Sequence, residues 1–180
     1  MAALDVTAGA TVADVGFGGG FGLQLLLDSV GCHGTVHGID FSPRAIGDAR
    51  LRFRRQIGRG RLMLTRAPMR QIPLPSDSFD RCMTVNTVYY LADEELQPSL
   101  VELARVVRPS GRLVVGLGDP DYMATLPYTV GLRLRPVDEI RSAICAAGFE
   151  VVDHTRVGTS GRAFHVLAAV PRNGSGVHDG

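Results

Sequence analysis

The chain has 180 residues, of which 45% are hydrophobic and 21% are charged, an ordinary balance for a globular protein with one hydrophobic core. The formal net charge is +1, so no overall electrostatic field favours nucleic acid or an anionic membrane surface. All 19 basic residues are arginines, which excludes catalysis by a lysine amine, and no apolar run approaches the roughly 20 residues that span a bilayer.

The cysteines and histidines show no metal-binding pattern. Cys32, Cys82 and Cys145 stand singly among apolar residues, and no pair has the C-x-x-C spacing. The N-terminus lacks a basic segment followed by an apolar one, which is the pattern of a secretion signal. We therefore expect reduced thiols, no bound metal, no membrane association and a cytoplasmic protein.

The first predicted strand, residues 11–15, is a short apolar run that leads into a glycine-rich turn. Every second residue from Gly16 to Gly22 is a glycine. Residues without a Cβ permit positive φ and let a ligand approach the backbone closely. A leucine-rich helix follows, and its free N–H groups and dipole point back at the turn. The pattern predicts a binding site for a negatively charged group.

The spacing of these glycines separates two classes of ligand. A dinucleotide fingerprint requires G-x-G-x-x-G/A, but the third position is Phe21 when counting begins at Gly16, and Leu23 when it begins at Gly18. The motif present is D-x-G-x-G-x-G, which resembles the first motif of the class I S-adenosylmethionine-dependent methyltransferases. The resemblance implies that the turn holds the methionine end of this cofactor. The cofactor-binding residues that it implies here are Asp14, Gly16, Phe17, Gly18 and Gly20.

The second strand, residues 35–39, ends at Asp40. A carboxylate at the tip of this strand can accept two hydrogen bonds from a ribose diol. Ser42 and Pro43 already suit the N-cap and the first position of the next helix, so we assign Asp40 to the ribose and not to the cap. Phe41 and Ser42 belong to the same part of the predicted cofactor site.

One amphipathic helix is predicted over residues 43–57, with an apolar side and an arginine-rich side. A basic face of this kind can contact RNA or an acidic partner. No aromatic residues are interleaved for base stacking, so we interpret it as the solvated face of a helix near the sheet edge.

The chain from residue 66 to residue 91 follows a third strand, residues 61–65, and adds to the resemblance. In these methyltransferases a loop with a Leu-Pro-like pair leads to a Phe-Asp pair and a fourth strand. Here the pairs are Ile72-Pro73 and Phe79-Asp80, and the fourth strand covers residues 81–85. Three prolines indicate that most of this connection is a loop.

The adenine end of the site departs from the family pattern at Pro68. Relatives often have an acidic residue here that contacts the adenine amino group, whereas proline has neither an acceptor side chain nor an N–H. Met69 still offers a backbone N–H and an apolar thioether. Asn86, at the tip of the fourth strand, has its backbone facing the methionine end on the same resemblance.

Four tyrosines follow at positions that the resemblance places near the methyl acceptor. Two come directly after the fourth strand, and packing in the core is the alternative role for both. Two lie in the segment 119–135, which forms part of the acceptor pocket in relatives. The predicted substrate-facing residues are Tyr89, Tyr90, Tyr122 and Tyr128.

The remaining elements complete an α/β pattern. A helix over residues 94–107, with Asp93 as N-cap, precedes a fifth strand within residues 108–118. A loop over residues 119–135, a helix over 136–147 and two strands, 149–155 and 163–170, follow. This order predicts a Rossmann-like open sheet, mostly parallel with one antiparallel strand near the C-terminus and helices on both faces. We expect residues 1–170 to form one cofactor-binding domain and residues 171–180 to be disordered.

The resemblance implies S-adenosylmethionine-dependent methyl transfer to a small, partly apolar molecule, mainly by alignment of the reactants. No general base stands out, because His165 lies in an apolar strand and is expected to be packed. The alternative is a methyltransferase-like cofactor-binding or scaffold protein without turnover. Nucleic-acid methylation ranks lower, since residues 86–89 lack the Pro-Pro of the amino-adenine methylating motif. Relatives usually carry helices before the first strand that cover the cofactor. Their expected absence here leaves three alternatives: a trimmed start, a site that is more open than usual, or a partner chain, such as a second copy in a homodimer, that covers it.

Overall fold

In the computed structural model, which describes residues 2–158 and 163–172, seven strands form one sheet. They are β1 (Thr11–Val15), β2 (Thr35–Asp40), β3 (Leu62–Arg66), β4 (Phe79–Val85), β5 (Val107–Gly118), β6 (Phe149–Val157) and β7 (Phe164–Pro171). Their order across the sheet is β3-β2-β1-β4-β5-β7-β6. Strand β7 is antiparallel to both of its neighbours, and the other pairs are parallel. The predicted fold class is confirmed. The expected disordered tail lies, from residue 173 onward, outside the described residues.

The helices are α1 (Phe21–Ser29), α2 (Pro43–Arg52), α3 (Arg54–Gly58), α4 (Asp93–Val106), α5 (Pro120–Ala124) and α6 (Val137–Ala146). Two separate apolar clusters cover the two faces of the sheet. One contains residues of α1 and α2, such as Leu23 and Ile46. The other contains residues of α4 and α6, such as Leu100 and Ile144. No helix in the described part of the chain is long and apolar enough to cross a membrane.

Strand β1 lies at the centre of the sheet and is buried on both faces. Val12 belongs to the cluster under α1, whereas Ala13 and Val15 belong to the cluster under α4. This explains why its sequence is a continuous apolar run and not an alternating one. The chain leaves β1 toward β3 on one side and returns to β4 on the other, so a crevice opens between β1 and β4 at their carboxyl ends.

The helix predicted over residues 43–57 is interrupted at Phe53, where φ is −105° and ψ is 22°. The side chain of Phe53 is only 1% exposed, and its ring lies close to Gly20 in the glycine turn. The prediction of one continuous helix was therefore wrong. Burial of the Phe53 ring coincides with the break between α2 and α3.

The predicted N-cap of α4 was also wrong by one residue. Ala92 occupies the N-cap, and the side chain of Glu95 reaches back to its N–H (3.4 Å). The carboxylate of Asp93 instead accepts a hydrogen bond from Arg135 (2.7 Å). A side chain that bonds so far along the chain is not available as a local cap.

The segment predicted as a loop after β5 contains helix α5. The Oδ1 atom of Asp119 accepts the N–H groups of Asp121 (3.1 Å) and Tyr122 (3.2 Å), which is how an N-cap stabilises a helix start. Pro120 occupies the first turn, where a missing N–H has no cost.

Candidate functional site

The turn between β1 and α1 has the left-handed backbone that its glycines allow. Gly16, Gly18 and Gly20 have φ of 75°, 49° and 73°. A Cβ added to Gly16 would overlap the side chain of Thr87, which follows β4. The Thr87 hydroxyl donates to the Gly16 carbonyl (3.2 Å), so it joins the turn to the end of β4. Thr87 did not stand out in the sequence, because the contact depends on β1 and β4 being neighbours.

Asp40 at the end of β2 supports this turn. Its Oδ2 atom accepts the N–H of Gly18 and its Oδ1 atom accepts the N–H of Ser42, both at 2.9 Å. The residue is 7% exposed. Each carboxylate oxygen has two acceptor positions, so each retains one for a ligand. The side chain is therefore held in place with capacity to bind a pair of hydroxyl groups.

A cavity of about 490 Å³, here called the turn cavity, opens above these groups. It is lined by residues 16–19, 40–42 and 85–87 together with Ala45 and Tyr90. Asn86 lies in it with a positive φ of 56°, a conformation that asparagine adopts more readily than most residues. Its side-chain oxygen accepts the N–H of Gly118 (2.8 Å), which fixes the tip of β4 against the tip of β5.

A second cavity of about 280 Å³, here called the α4 cavity, shares Gly16, Phe41, Thr87 and Tyr90 with the turn cavity. Pro68 and Met69, which the sequence predicts for the adenine end, lie on one side of it. Phe41 is 67% exposed, whereas Met69 is buried. The other lining residues are Val15, Ile39, Ala67, Arg70, Leu91, Glu95 and Ser99.

The loop that carries Pro68 and Met69 is attached to α4 by charged groups. Glu102 accepts the N–H of Ile72 (2.6 Å), and Arg105 donates to the carbonyl of Ile72 (2.9 Å). The hydrogen bond from Arg105 holds the pKa of Glu102 below its ordinary value. The two walls of the α4 cavity are therefore tied together.

Asp14 lies beside a third cavity of about 400 Å³, here called the α1 groove, between α1 and the strands β4, β5 and β7. Asp14 is 2% exposed. Burial, and secondarily the charge of Asp40, raises the pKa of Asp14 to about 7. A Cβ at Gly22 would overlap this carboxyl group, so the glycine makes room for it. A positively charged ligand group would stabilise the ionised form of Asp14.

The remaining residue of the predicted cofactor set, Gly20, lines none of the three cavities. It is buried at the N-cap of α1, and its N–H donates to the Phe17 carbonyl (2.9 Å). Its positive φ shapes the turn, so its role is conformational.

The four predicted substrate-facing tyrosines separate into different environments. Tyr89 is 0% exposed, and its hydroxyl donates to the Gly118 carbonyl (2.9 Å), so it packs in the core and the prediction for it was wrong. Tyr90 is 67% exposed and lines both the turn cavity and the α4 cavity. Tyr122 and Tyr128 line none of the three cavities.

Two polar clusters lie apart from the cavities. His165 is bonded on one side to Asp119 (3.2 Å) and on the other to His154 (3.0 Å), and the His165 contact holds the pKa of Asp119 below its ordinary value. The other cluster is at the opposite edge of the sheet, where Asp80 accepts the N–H of Thr11 (2.8 Å) and pairs with Arg108. The described residues contain no group of three ligating side chains that would hold a metal ion.

Comparisons with known proteins agree with this geometry. Residues 12–111 match a family model described as a methyltransferase domain. The chain is 30% identical over 164 residues to methyltransferase GfsG of Streptomyces halstedii, covering 86% of this chain and 58% of that one. It is 28% identical over 157 residues to arsenite methyltransferase of Halobacterium salinarum, covering 81% and 38%. The chain thus spans less than two thirds of the length of these curated relatives.

A solved structure is similar over nearly the whole chain. The crystal structure of a SAM-dependent methyltransferase from Aquifex aeolicus is 26% identical and has a TM-score of 0.79. The match covers 93% of this chain and 85% of that one. The glycine turn, the tip of β2 and the tip of β4 all fall within the region of the family model.

Proposed function

Since the chain belongs to the class I S-adenosylmethionine-dependent methyltransferase family, we propose that it transfers the methyl group of this cofactor to a small, partly apolar acceptor. The observation that carries the proposal is the convergence of the glycine turn, Asp40 and Asn86 on one cavity. These groups come from the ends of three different strands, and the bond from the Gly18 N–H to Asp40 joins two of them.

The residues present fit the parts of S-adenosylmethionine. Asp40 retains acceptor positions for the two ribose hydroxyls. The free N–H groups at the start of α1 suit the methionine carboxylate, and Asp14 suits the methionine ammonium. Phe41 and Met69 offer apolar surface to the adenine ring.

When bound, the cofactor supplies a methyl group that its sulfonium already activates toward in-line displacement. The chain's own contribution is then mainly to hold acceptor and donor in line, an effect that can reach roughly 7–11 kcal/mol. Thr87 and Asn86 serve this purpose by fixing the tip of β4 relative to the turn. Among the residues that line the turn cavity, Asp40 is the only acidic side chain, and its two oxygens already hold backbone N–H groups. An acceptor that needs no base, such as a carbon or amine nucleophile, suits this site.

Apolar surface near the turn supports a partly apolar acceptor. Phe21 is 71% exposed and Val85 is 41% exposed, and both line the α1 groove next to Gly16. Tyr90 adds an exposed aromatic ring on the side of the turn cavity. An acceptor that covers these side chains would remove apolar area from water, worth roughly 25 cal/mol per Å².

Two measurements on the purified chain test the proposal. Calorimetry with S-adenosylmethionine and S-adenosylhomocysteine should show that both bind. Incubation with methyl-labelled S-adenosylmethionine and a small-molecule extract should then label at least one compound, and Asp40→Ala should reduce that labelling. Absence of binding for both ligands would show that the proposal is wrong. Binding without labelling of any fraction would favour a cofactor-binding scaffold without turnover.

A further inference from the structure

One wall of the α4 cavity offers no acceptor side chain to a ligand. Pro68 has neither an N–H nor a polar side-chain atom, and Met69 ends in a thioether. The carbonyl of Pro68 already accepts the N–H of Gln71 (3.0 Å). The N–H of Met69 donates to no protein group among residues 2–158 and 163–172. Beside Arg70, whose guanidinium donates to Glu95, this wall therefore presents the N–H of Met69 and apolar surface.

The opposite wall, from α4, presents acceptors. Glu95 and Ser99 lie one turn apart on the same face of α4, and both line the cavity. Ser99 is 0% exposed, and its hydroxyl has no hydrogen-bond partner in the part of the chain that the structure describes. A buried polar group without a partner costs about 1–3 kcal/mol, so its position at a cavity wall indicates a ligand group that completes it.

Glu95 is held in position by its own contacts. Its Oε1 atom accepts a hydrogen bond from the Arg70 side chain (3.1 Å), and its Oε2 atom accepts the N–H of Ala92 (3.4 Å). A carboxylate has about four acceptor positions, so two remain open. The side chain is 37% exposed, which places it where it can meet a ligand that enters the cavity.

We propose that Glu95 and Ser99 accept hydrogen bonds from the exocyclic amino group of adenine, while the N–H of Met69 donates to the ring nitrogen beside it. The assignment rests on the proposed cofactor site, because it names the residues that select the base there. The amino group has two N–H donors and α4 supplies two acceptors. Helix α4 thereby takes over a task for which position 68 has no suitable side chain.

A purine with an oxygen in place of the amino group would reverse this pattern. In hypoxanthine the exocyclic group is an acceptor and the neighbouring ring nitrogen carries a proton. The hypoxanthine oxygen would then face the carboxylate of Glu95, which is also an acceptor. The ring N–H would face the N–H of Met69, which is also a donor. Sites that hydrogen-bond one ligand reject an analogue that leaves their polar groups unpaired. The chain should therefore distinguish adenine from hypoxanthine on the same homocysteine ligand.

Calorimetry with S-adenosylhomocysteine and S-inosylhomocysteine tests this selection. The unmodified chain should bind the adenosyl ligand at least tenfold more tightly. Glu95→Gln should reduce that ratio at least fivefold, partly because the new amide N–H can donate to the hypoxanthine oxygen. Ser99→Ala should weaken the adenosyl ligand severalfold. Glu94→Gln, on the exposed side of the same helix, should leave the ratio unaltered.

The outcomes separate the two proposals. If the unmodified chain binds neither ligand, the proposed cofactor site is wrong and the assignment of Glu95 and Ser99 is wrong with it. If it binds both ligands equally, the cofactor site stands and the assignment is overturned. An unchanged ratio in both variants, with melting curves like that of the unmodified chain, overturns the assignment as well. The comparison on the unmodified chain needs no variant to fold.

Discussion

The carboxyl edge of the sheet has two halves that treat their polar groups differently. At the ends of β1 and β2 and along the facing turn of α4, several polar groups are held in position but retain hydrogen-bonding capacity that no protein group uses. The hydroxyl of Ser99 makes no hydrogen bond in the described residues, Asp40 keeps acceptor positions, and the buried carboxyl of Asp14 lies beside the α1 groove. The turn between Gly16 and Gly20 adds backbone N–H groups at the start of α1.

At the ends of β4 and β5 and the start of β7, the polar groups satisfy one another. The hydroxyl of Tyr89 and the side-chain oxygen of Asn86 both bond to Gly118. Asp119 and His165 form a further pair at the same edge. Buried polar groups that pair fully stabilise one arrangement, whereas those left open lower stability until a ligand completes them. The first half is therefore suited to binding, and the second half fixes the geometry around it.

Adding a methyl group to Gly16 should have the largest effect on the first half. In Gly16→Ala the new Cβ overlaps Thr87, and an alanine must adopt φ of about 75°. Overpacking and a left-handed backbone together should lower the free energy of unfolding by about 3 kcal/mol. Binding of S-adenosylhomocysteine should be lost. Urea denaturation and calorimetry measure the two effects.

Gly19→Ala is the matched control for this variant. A Cβ at Gly19 meets nothing within 4 Å, so stability should change little. If Gly16→Ala bound the ligand as well as Gly19→Ala does, the shape of the turn would not matter for binding, and the contrast between the two halves would be weakened.

Removal of the carboxylate at Asp40 comes next in size. Asp40→Ala should weaken both S-adenosylmethionine and S-adenosylhomocysteine at least tenfold, because it removes the acceptors for the ribose and the support of the Gly18 N–H. Asp48→Ala removes a largely exposed carboxylate on α2 that lies 3.7 Å from the Arg44 side chain, and this variant should bind both ligands normally. Equal affinities in the two variants, measured by calorimetry, would remove Asp40 from the site.

Titration of Asp14 should make ligand binding depend on pH. With its pKa near 7, the carboxyl is mostly neutral at pH 6 and mostly ionised at pH 8. If it pairs with the methionine ammonium, the affinity for S-adenosylhomocysteine should rise severalfold over this range. Asp14→Asn should abolish the rise, while the Asp48→Ala control should keep it. If the affinity of the unmodified chain for S-adenosylhomocysteine did not change with pH, Asp14 would not pair with the methionine ammonium.

The same raised pKa has the opposite consequence for the unliganded chain. Between about pH 4 and pH 7 the folded state keeps a proton on Asp14 that the unfolded state releases. Stability from this group is therefore fully present below pH 4 and declines as the pH rises toward 7, by at most about 1.4 kcal/mol per pH unit. Urea midpoints across this range, compared between the unmodified chain and Asp14→Asn, measure the decline.

The sequence alone predicts most of the binding half of the edge, because its signals are local. The glycine spacing, the apolar run before it and the carboxylate at the end of β2 each depend on a few neighbouring residues. The alternation of strands and helices then determines that their ends meet. The alternation and the two consecutive strands that end it also predict one antiparallel strand near the C-terminus, whereas the strand order and the place of β7 between β5 and β6 come from the structure.

The rest of the edge depends on contacts between distant residues, which local patterns do not contain. The carboxylate of Asp93 binds Arg135 and does not cap α4, and the side chain of Phe53 packs beside Gly20. Ser99 sits in a helix whose apolar periodicity gives no sign that a cavity lies against it. Its role depends on how α4 is placed over the ends of β1 and β2, and only the packed structure shows this.

Tyr89 and Tyr90 provide the smallest expected effect and a direct comparison of the halves within two adjacent residues. Tyr89→Phe removes a buried bond to the Gly118 carbonyl, so it should cost about 1 kcal/mol of stability and leave affinity for S-adenosylhomocysteine within twofold. Tyr90→Ala removes an exposed ring from the cavity walls, so it should weaken the ligand severalfold with little change in stability. Urea denaturation and calorimetry on both variants should show that Tyr89→Phe lowers mainly stability and that Tyr90→Ala lowers mainly affinity. If instead Tyr89→Phe weakened binding of S-adenosylhomocysteine as much as Tyr90→Ala, the paired groups at the end of β4 would also take part in ligand binding. The end of β4 would then belong to the binding half of the edge.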